Sequence, residues 1–123
     1  MVSLIICLSS GKGTWTEVIK IIQGKNWQNI FLITTDFGKD NFSLQKENMK
    51  LIIVNPFDEI NAIKDIIKKD LHNQISDFEV ALNFVSGSGK EHMALVEAIM
   101  ELGLNFRLIT LINGEVDSLG LSR

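Results

Sequence analysis

The sequence predicts an α/β fold built on a doubly wound, mostly parallel sheet of six strands, the last of them antiparallel at the C-terminal edge. Three observations predict it. Five strand-length apolar runs rich in Val, Ile and Phe recur along the chain, and such near-continuous runs suit strands covered on both faces. Stretches with helical periodicity lie between the runs. An Asn113-Gly114 pair separates the fifth run from a short β-like segment, and Asn-Gly is a strong signal for a two-residue hairpin.

Taken in order, the first run covers residues 4–8 and leads into a glycine-rich turn. Trp15, Val18, Ile19 and Ile22 then repeat at i, i+3, i+4 and i+7, with Glu17 and Lys20 turned outward, and Gly24 fits a helix stop. The second run is 30–33. The polar stretch 34–50 is expected to hold one short helix near residues 43–48. After the third run, 51–54, Asn55-Pro56-Phe57 reads as a turn, and Asp58 as the cap of a helix striped by Ile60, Ile63, Ile67 and Leu71. The fourth run, 80–85, opens a second glycine-rich turn. The helix after it, 90–102, carries Met93, Ala94, Leu95, Val96, Ala98, Ile99, Met100 and Leu102, so it is apolar almost all round and Gly103 ends it. Such a helix is expected to be buried on more than one side. In a chain of 123 residues the second cover would come from another subunit. The fifth run is 106–112, and residues 115–119 form the antiparallel sixth strand. The alternation implies right-handed crossovers and the order 3-2-1-4-5. In such Rossmann-like sheets ligands bind beyond the carboxyl ends of the strands, at the switch point between the first and fourth.

Bulk properties narrow the possibilities. Residues 1–123 have the length of one domain, 46% hydrophobic and 22% charged. A formal net charge of −3 speaks against duplex nucleic acid held through a basic face. Cys7 is the only cysteine, which excludes an intramolecular disulfide and a thiolate zinc cluster. It lies inside an apolar run, so buried packing is its expected role. The apolar N-terminal stretch is too short for a membrane span and lacks the pattern of a signal peptide, which leaves a cytoplasmic location as the expectation. No membrane partner, metal or cofactor is expected.

The two turns at the switch point carry the chemistry. One reads Ser9-Ser10-Gly11-Lys12-Gly13-Thr14, the other Ser86-Gly87-Ser88-Gly89-Lys90. Each follows an apolar strand and opens a helix, with two glycines, hydroxyls and one lysine. Amides at a helix start favour an anion, glycines let the chain approach it closely, and a lysine adds positive charge. Side by side, the two turns would cradle a phosphate. A plain strand-to-helix turn with a Ser or Thr cap explains either one alone. Neither is a P-loop: Phe84 and Ile6 stand where the earlier Gly is needed, and Glu91 and Gly13 where Ser or Thr should follow the lysine. Thr16 replaces the third glycine of a dinucleotide fingerprint. Asn83 sits inside the fourth strand, where a buried amide must find partners and would orient the loop after it. Thr34, Thr35 and Asp36 could reach a ribose or simply form a capped turn. His92, in the first turn of the helix that follows, reads as an acid or as a surface histidine.

Residues 81–111 resemble the CRISPR-associated Rossmann-fold (CARF) family. There the fourth strand runs into a Thr/Ser-Gly-Gly/Ser-Thr/Ser-Lys turn and an Ala/Met-rich helix. Asn83-Phe84-Val85-Ser86-Gly87-Ser88-Gly89-Lys90, followed by Met93-Ala94-Leu95, is similar to that pattern. Gly89 is additional before the lysine, and Asn83 stands where Asp is frequent. Leu8-Ser9-Ser10-Gly11 matches the family's other ligand loop more loosely. The resemblance implies a single-domain homodimer that senses a cyclic oligoadenylate across its two-fold axis in antiviral defence. The expected contacts are Ser9, Ser10, Gly11, Lys12, Gly13, Thr14, Asn83, Ser86, Gly87, Ser88, Gly89 and Lys90. Two other functions fit the same residues. One is a metal-independent ring nuclease, in which Lys90 or Lys12 stabilises the developing charge and His92 assists. The other is a non-catalytic subunit whose apolar fourth-strand helix docks a partner protein.

Overall fold

A computed structural model describes residues 2–120. The elements are β1 (Ser3–Cys7), a 3-10 turn (Lys12–Thr14), α1 (Trp15–Gln23), β2 (Ile30–Thr34), α2 (Asp36–Asn41), β3 (Met49–Ile53), α3 (Ile60–Leu71), β4 (Glu79–Asn83), α4 (Gly89–Glu101), β5 (Asn105–Ile112) and β6 (Glu115–Ser118). They form one six-stranded sheet in the order β3-β2-β1-β4-β5-β6. β1 through β5 run parallel, and β6 returns antiparallel to β5. This is the fold the alternation predicts, with β1 and β4 adjacent at the switch point.

Every residue of β1 and β2 is buried, because both strands are covered on both faces. Alternation of side chains divides the apolar contacts between those faces. Ile5, Cys7, Phe31, Ile33, Val80 and Leu82 pack under α3 and α4, against Ile63, Ile67, Ala94, Leu95 and Ile99. Leu4, Ile6, Leu8, Ile30 and Leu32 pack on the opposite face, against Trp15, Val18, Ile21 and Ile22 of α1. Full burial of each aliphatic side chain is worth roughly 1.5–3 kcal/mol, so these two layers hold the strands that carry the turns. Ile21 takes the deeper place in α1 that the sequence spacing assigns to Ile19, which is half-buried. The hairpin turn has Asn113 at φ 53° and Gly114 at φ 82°, the paired left-handed conformation that Asn-Gly adopts most readily.

Three expectations need correction. The short helix lies at Asp36–Asn41, not near residues 43–48. Thr35 caps it by accepting from the Gly38 amide at 3.3 Å, and Phe42 ends it by turning extended and packing edge-on against Trp15. Its sequence, DFGKDN, has weak helix propensity, so the cap and the burial of Phe42 decide the matter. Asp58 does not cap α3: Glu59 holds the cap position, without a side-chain bond. The fourth strand ends at Asn83, not Val85. The Asn83 amide takes over there, donating to the Ile109 carbonyl at 2.8 Å and accepting from the Val85 amide at 3.0 Å. Within the chain α4 buries one face: Ala94, Leu95, Ala98 and Ile99 point inward, while Met93 and Met100 stay 58% and 60% exposed.

Candidate functional site

Both glycine-rich turns leave the carboxyl ends of adjacent strands, β1 and β4, and the fold ties them together. Ser86 is the tie. Its hydroxyl accepts from the Ser9 amide at 2.7 Å and from the Thr14 hydroxyl at 2.6 Å, which uses both acceptor positions of a serine oxygen. The Ser86 carbonyl is bonded to His92 Nε2 at 2.7 Å. A carbonyl can only accept, so Nε2 carries the proton. His92 also stacks on Phe84 with ring centroids 4.8 Å apart. It is therefore a support of the second turn, not a surface histidine.

The first turn is the more open. Ser9 Oγ donates to the Gly11 carbonyl at 2.6 Å, and the Ser9 carbonyl accepts from the Trp15 indole at 3.0 Å. Ser10 Oγ lies 3.3 Å from the Thr35 hydroxyl, so the cap of α2 also touches this turn. Thr34 donates to the Leu8 carbonyl at 3.2 Å. Gly11 and Gly13 are exposed, and a Cβ at either would meet nothing within 4 Å. The Lys12 ammonium stands 5.7 Å above the Trp15 ring and 6.0 Å above that of Phe37. Cation–π contact of this kind holds a lysine at the mouth of the turn without neutralising it.

The second turn is tighter. Gly87 has φ +95°, and a Cβ there would come within 3.0 Å of Cys7 Cβ and 3.1 Å of both Glu91 Oε1 and His92 Nε2. Ser88 caps α4 in a reciprocal box with Glu91. The Ser88 amide donates to Glu91 Oε1 at 3.2 Å, and the Ser88 hydroxyl donates to Oε2 at 2.9 Å. Glu91 is only 7% exposed. Sequence reading passed over it, although Ser-x-x-Glu before an apolar run is a recognisable capping box. Its carboxylate sits where an anion at the α4 terminus would bind, so any phosphate falls to the first turn. Gly89 is exposed and open.

Lys90 departs furthest from expectation. Its ammonium does not stand free beside Gly89 but reaches the β3–α3 turn, donating to the carbonyls of Pro56 and Asp58, each at 3.0 Å. The structure thus brings Ser9, Thr14 and Ser86 into one bonded unit, and leaves Ser10, Gly11, Lys12, Gly13, Ser88 and Gly89 around its exposed rim. Gly87 packs below, Asn83 braces from inside the sheet, and Lys90 is turned toward another loop.

Cys7 lies under the second turn, fully buried, and burial together with the nearby Glu91 charge pushes its thiol well above the usual range. An apolar cavity of about 240 Å³ borders the same end of β4, lined by Asn83, Phe84, Val85, Leu108 and Leu119 among others. That is smaller than the roughly 300–1,000 Å³ which encloses a drug-sized ligand, so a large ligand would lie across the rim. Among the described residues no group of three His, Cys, Asp or Glu side chains could hold a metal ion, and no helix is long and apolar enough to cross a membrane.

The fold and the bonded turns define a Rossmann-like α/β domain with an open, glycine-lined rim at its switch point. No protein-family model matches the chain, and no curated protein matches it in sequence.

Proposed function

We propose that this domain binds a phosphate-bearing nucleotide across the rim of the β1 and β4 turns, and that the ligand is a cyclic oligoadenylate shared by the two subunits of a homodimer. The observation that carries the reading is the Ser9–Ser86–Thr14 unit, which holds two glycine-rich turns together while leaving Gly11 and Gly13 of the first turn open. Amides in open glycine turns are good phosphate donors, and Lys12 supplies the unneutralised charge. The particular ligand rests on the resemblance of residues 83–95 to the CARF pattern. The homodimer is supported by the uncovered apolar side of α4, where Met93 and Met100 remain exposed.

Calorimetric titration with cyclic tetra-adenylate and cyclic hexa-adenylate tests the proposal. Binding of one ring per two chains, weakened by salt and by Lys12→Ala, is the expected result; no binding of either ring overturns it. Cleavage of the ligand is the less supported activity, because His92 Nε2 and Lys90 Nζ already engage backbone carbonyls, which leaves Lys12 alone of the three groups it would draw on.

A further inference from the structure

Two phenylalanines stand almost entirely in solvent: Phe57 is 91% exposed and Phe78 86%. They lie at opposite ends of the sheet. Phe78 precedes β4, at the amino ends of the parallel strands, whereas Phe57 follows β3, at the carboxyl ends, where both glycine-rich turns emerge.

The segment that carries Phe57 is a built turn. The Phe57 amide donates to Asn55 Oδ1 at 2.9 Å, and the Asp58 amide donates to the Asn55 carbonyl at 3.1 Å. Lys90 then bonds the carbonyls on either side of Phe57, those of Pro56 and Asp58. Pro56 restricts the backbone further. A turn held this firmly turns its one large apolar side chain outward, where the exposed ring gains nothing for the fold. The ammonium that holds it comes from the same turn-and-helix junction that borders the proposed ligand rim.

From this we infer that Phe57 is a stacking residue for a nucleobase of the bound nucleotide and that Lys90 is the residue that positions it. The inference rests on the nucleotide reading above and gives it a base contact. A phenyl ring is suited to the task, since every base has a π-face and stacking requires no particular hydrogen-bond pattern. The resulting division of labour is physical. The first turn and Lys12 meet phosphate, while the third-strand turn meets base.

The test is titration of variants with cyclic tetra-adenylate and cyclic hexa-adenylate, using the full chain. Phe57→Ala is expected to weaken binding by roughly five- to a hundred-fold. Phe57→Trp should retain affinity and show indole emission quenched by ligand, beyond any change in the unmodified protein. Phe78→Ala should bind like the unmodified protein. Lys90→Met should lose affinity, and combining it with Phe57→Ala should add little, because both changes remove the same contact. Losses that add fully would make Lys90 a separate phosphate contact and overturn its positioning role. Unchanged affinity in Phe57→Ala would overturn the stacking contact while leaving the nucleotide reading in place. A Phe57→Ala protein that loses self-association instead of affinity, seen by sedimentation velocity, would assign the ring to a subunit contact and overturn the inference. No binding by the unmodified protein would overturn both readings together.

Discussion

The amide of Ser9 donates to the hydroxyl of Ser86 at 2.7 Å, across 77 positions of sequence. The bond joins the two glycine-rich turns at the point where the sheet reverses its winding, and the Thr14 hydroxyl completes it from the other side of the first turn.

Removing that hydroxyl should loosen both turns at once. Ser86→Ala leaves the Ser9 amide and the Thr14 hydroxyl without their acceptor. An unsatisfied buried polar group costs about 1–3 kcal/mol, and these two are partly buried, so a loss near the lower end is expected from urea unfolding. Hydrogen exchange at the Ser9 amide should accelerate as well. Unchanged stability together with unchanged Ser9 protection would show that the turns are held by other means.

Two glycines of the second turn, Gly87 and Gly89, should respond in opposite ways. Gly87→Ala places a Cβ at φ +95° within 3.0 Å of Cys7 Cβ. Left-handed backbone costs an L-residue roughly 1–2 kcal/mol, and the crowding adds to it, so thermal unfolding should fall by several degrees. Gly89→Ala meets open space and lies in α4, where Ala is favoured over Gly by up to about 1 kcal/mol. It should leave the melting temperature unchanged or raised. Equal thermal shifts in the two variants would contradict the geometry.

The thiol of Cys7 should be silent in the folded protein. Burial, and next the charge of Glu91, raise its pKa above the ordinary 9.0. A raised acid is stabilising to the fold below the unfolded value and loses that contribution as pH climbs beyond it. Stability should therefore decline above about pH 9.0, and less so in Cys7→Ala once its cavity cost is subtracted. A disulfide reagent at pH 8 should label the denatured chain fully and the native chain only at the rate of opening. Rapid labelling of the native protein would refute this.

Glu101 links α4 to α3, 3.3 Å from Lys64 and 3.1 Å from Lys68. A hydrogen bond from Glu97, followed by those from Lys68 and Lys64, lowers its carboxyl from 4.5 to about 2. That contribution to stability is present above pH 4.5 and is lost as pH falls toward about 2. Glu97 is shifted the other way, first by its bond to Glu101, so its contribution is present at low pH and lost as pH rises through its raised value. The opposed signs and the solvent screening of exposed pairs should leave a shallow acid profile. Carboxyl NMR should find Glu101 titrating well below Glu97; coincident titrations would exclude the shared proton.

The exposed side of α4 gives the last expectation. Met100→Glu alters a side chain that is 60% exposed and should not unfold the chain. If that face meets a second subunit, it buries a charge in the contact and should convert a dimer to a monomer in sedimentation velocity. A monomer at high micromolar concentration before any substitution would remove the two-fold reading.

Much of this architecture is legible in residue order alone. The strand runs, the Asn113-Gly114 hairpin and the alternation with amphipathic stretches determine the sheet order, because period and turn chemistry are local properties. The same locality brings the Ser9–Thr14 and Ser86–Lys90 turns to the switch point. Local pattern does not say which way a long side chain reaches. Lys90 belongs by sequence to a glycine-rich phosphate turn, yet its ammonium finds the Pro56 and Asp58 carbonyls more than thirty positions away. Ser86 looks like a free hydroxyl and is used up by Ser9 and Thr14. The weak helix at Asp36–Asn41 exists because Thr35 caps it and Phe42 finds Trp15. For Lys90, Ser86 and Phe42 the deciding partner is distant in sequence, so only the packed chain could decide how the polar groups were satisfied and where the ring was buried.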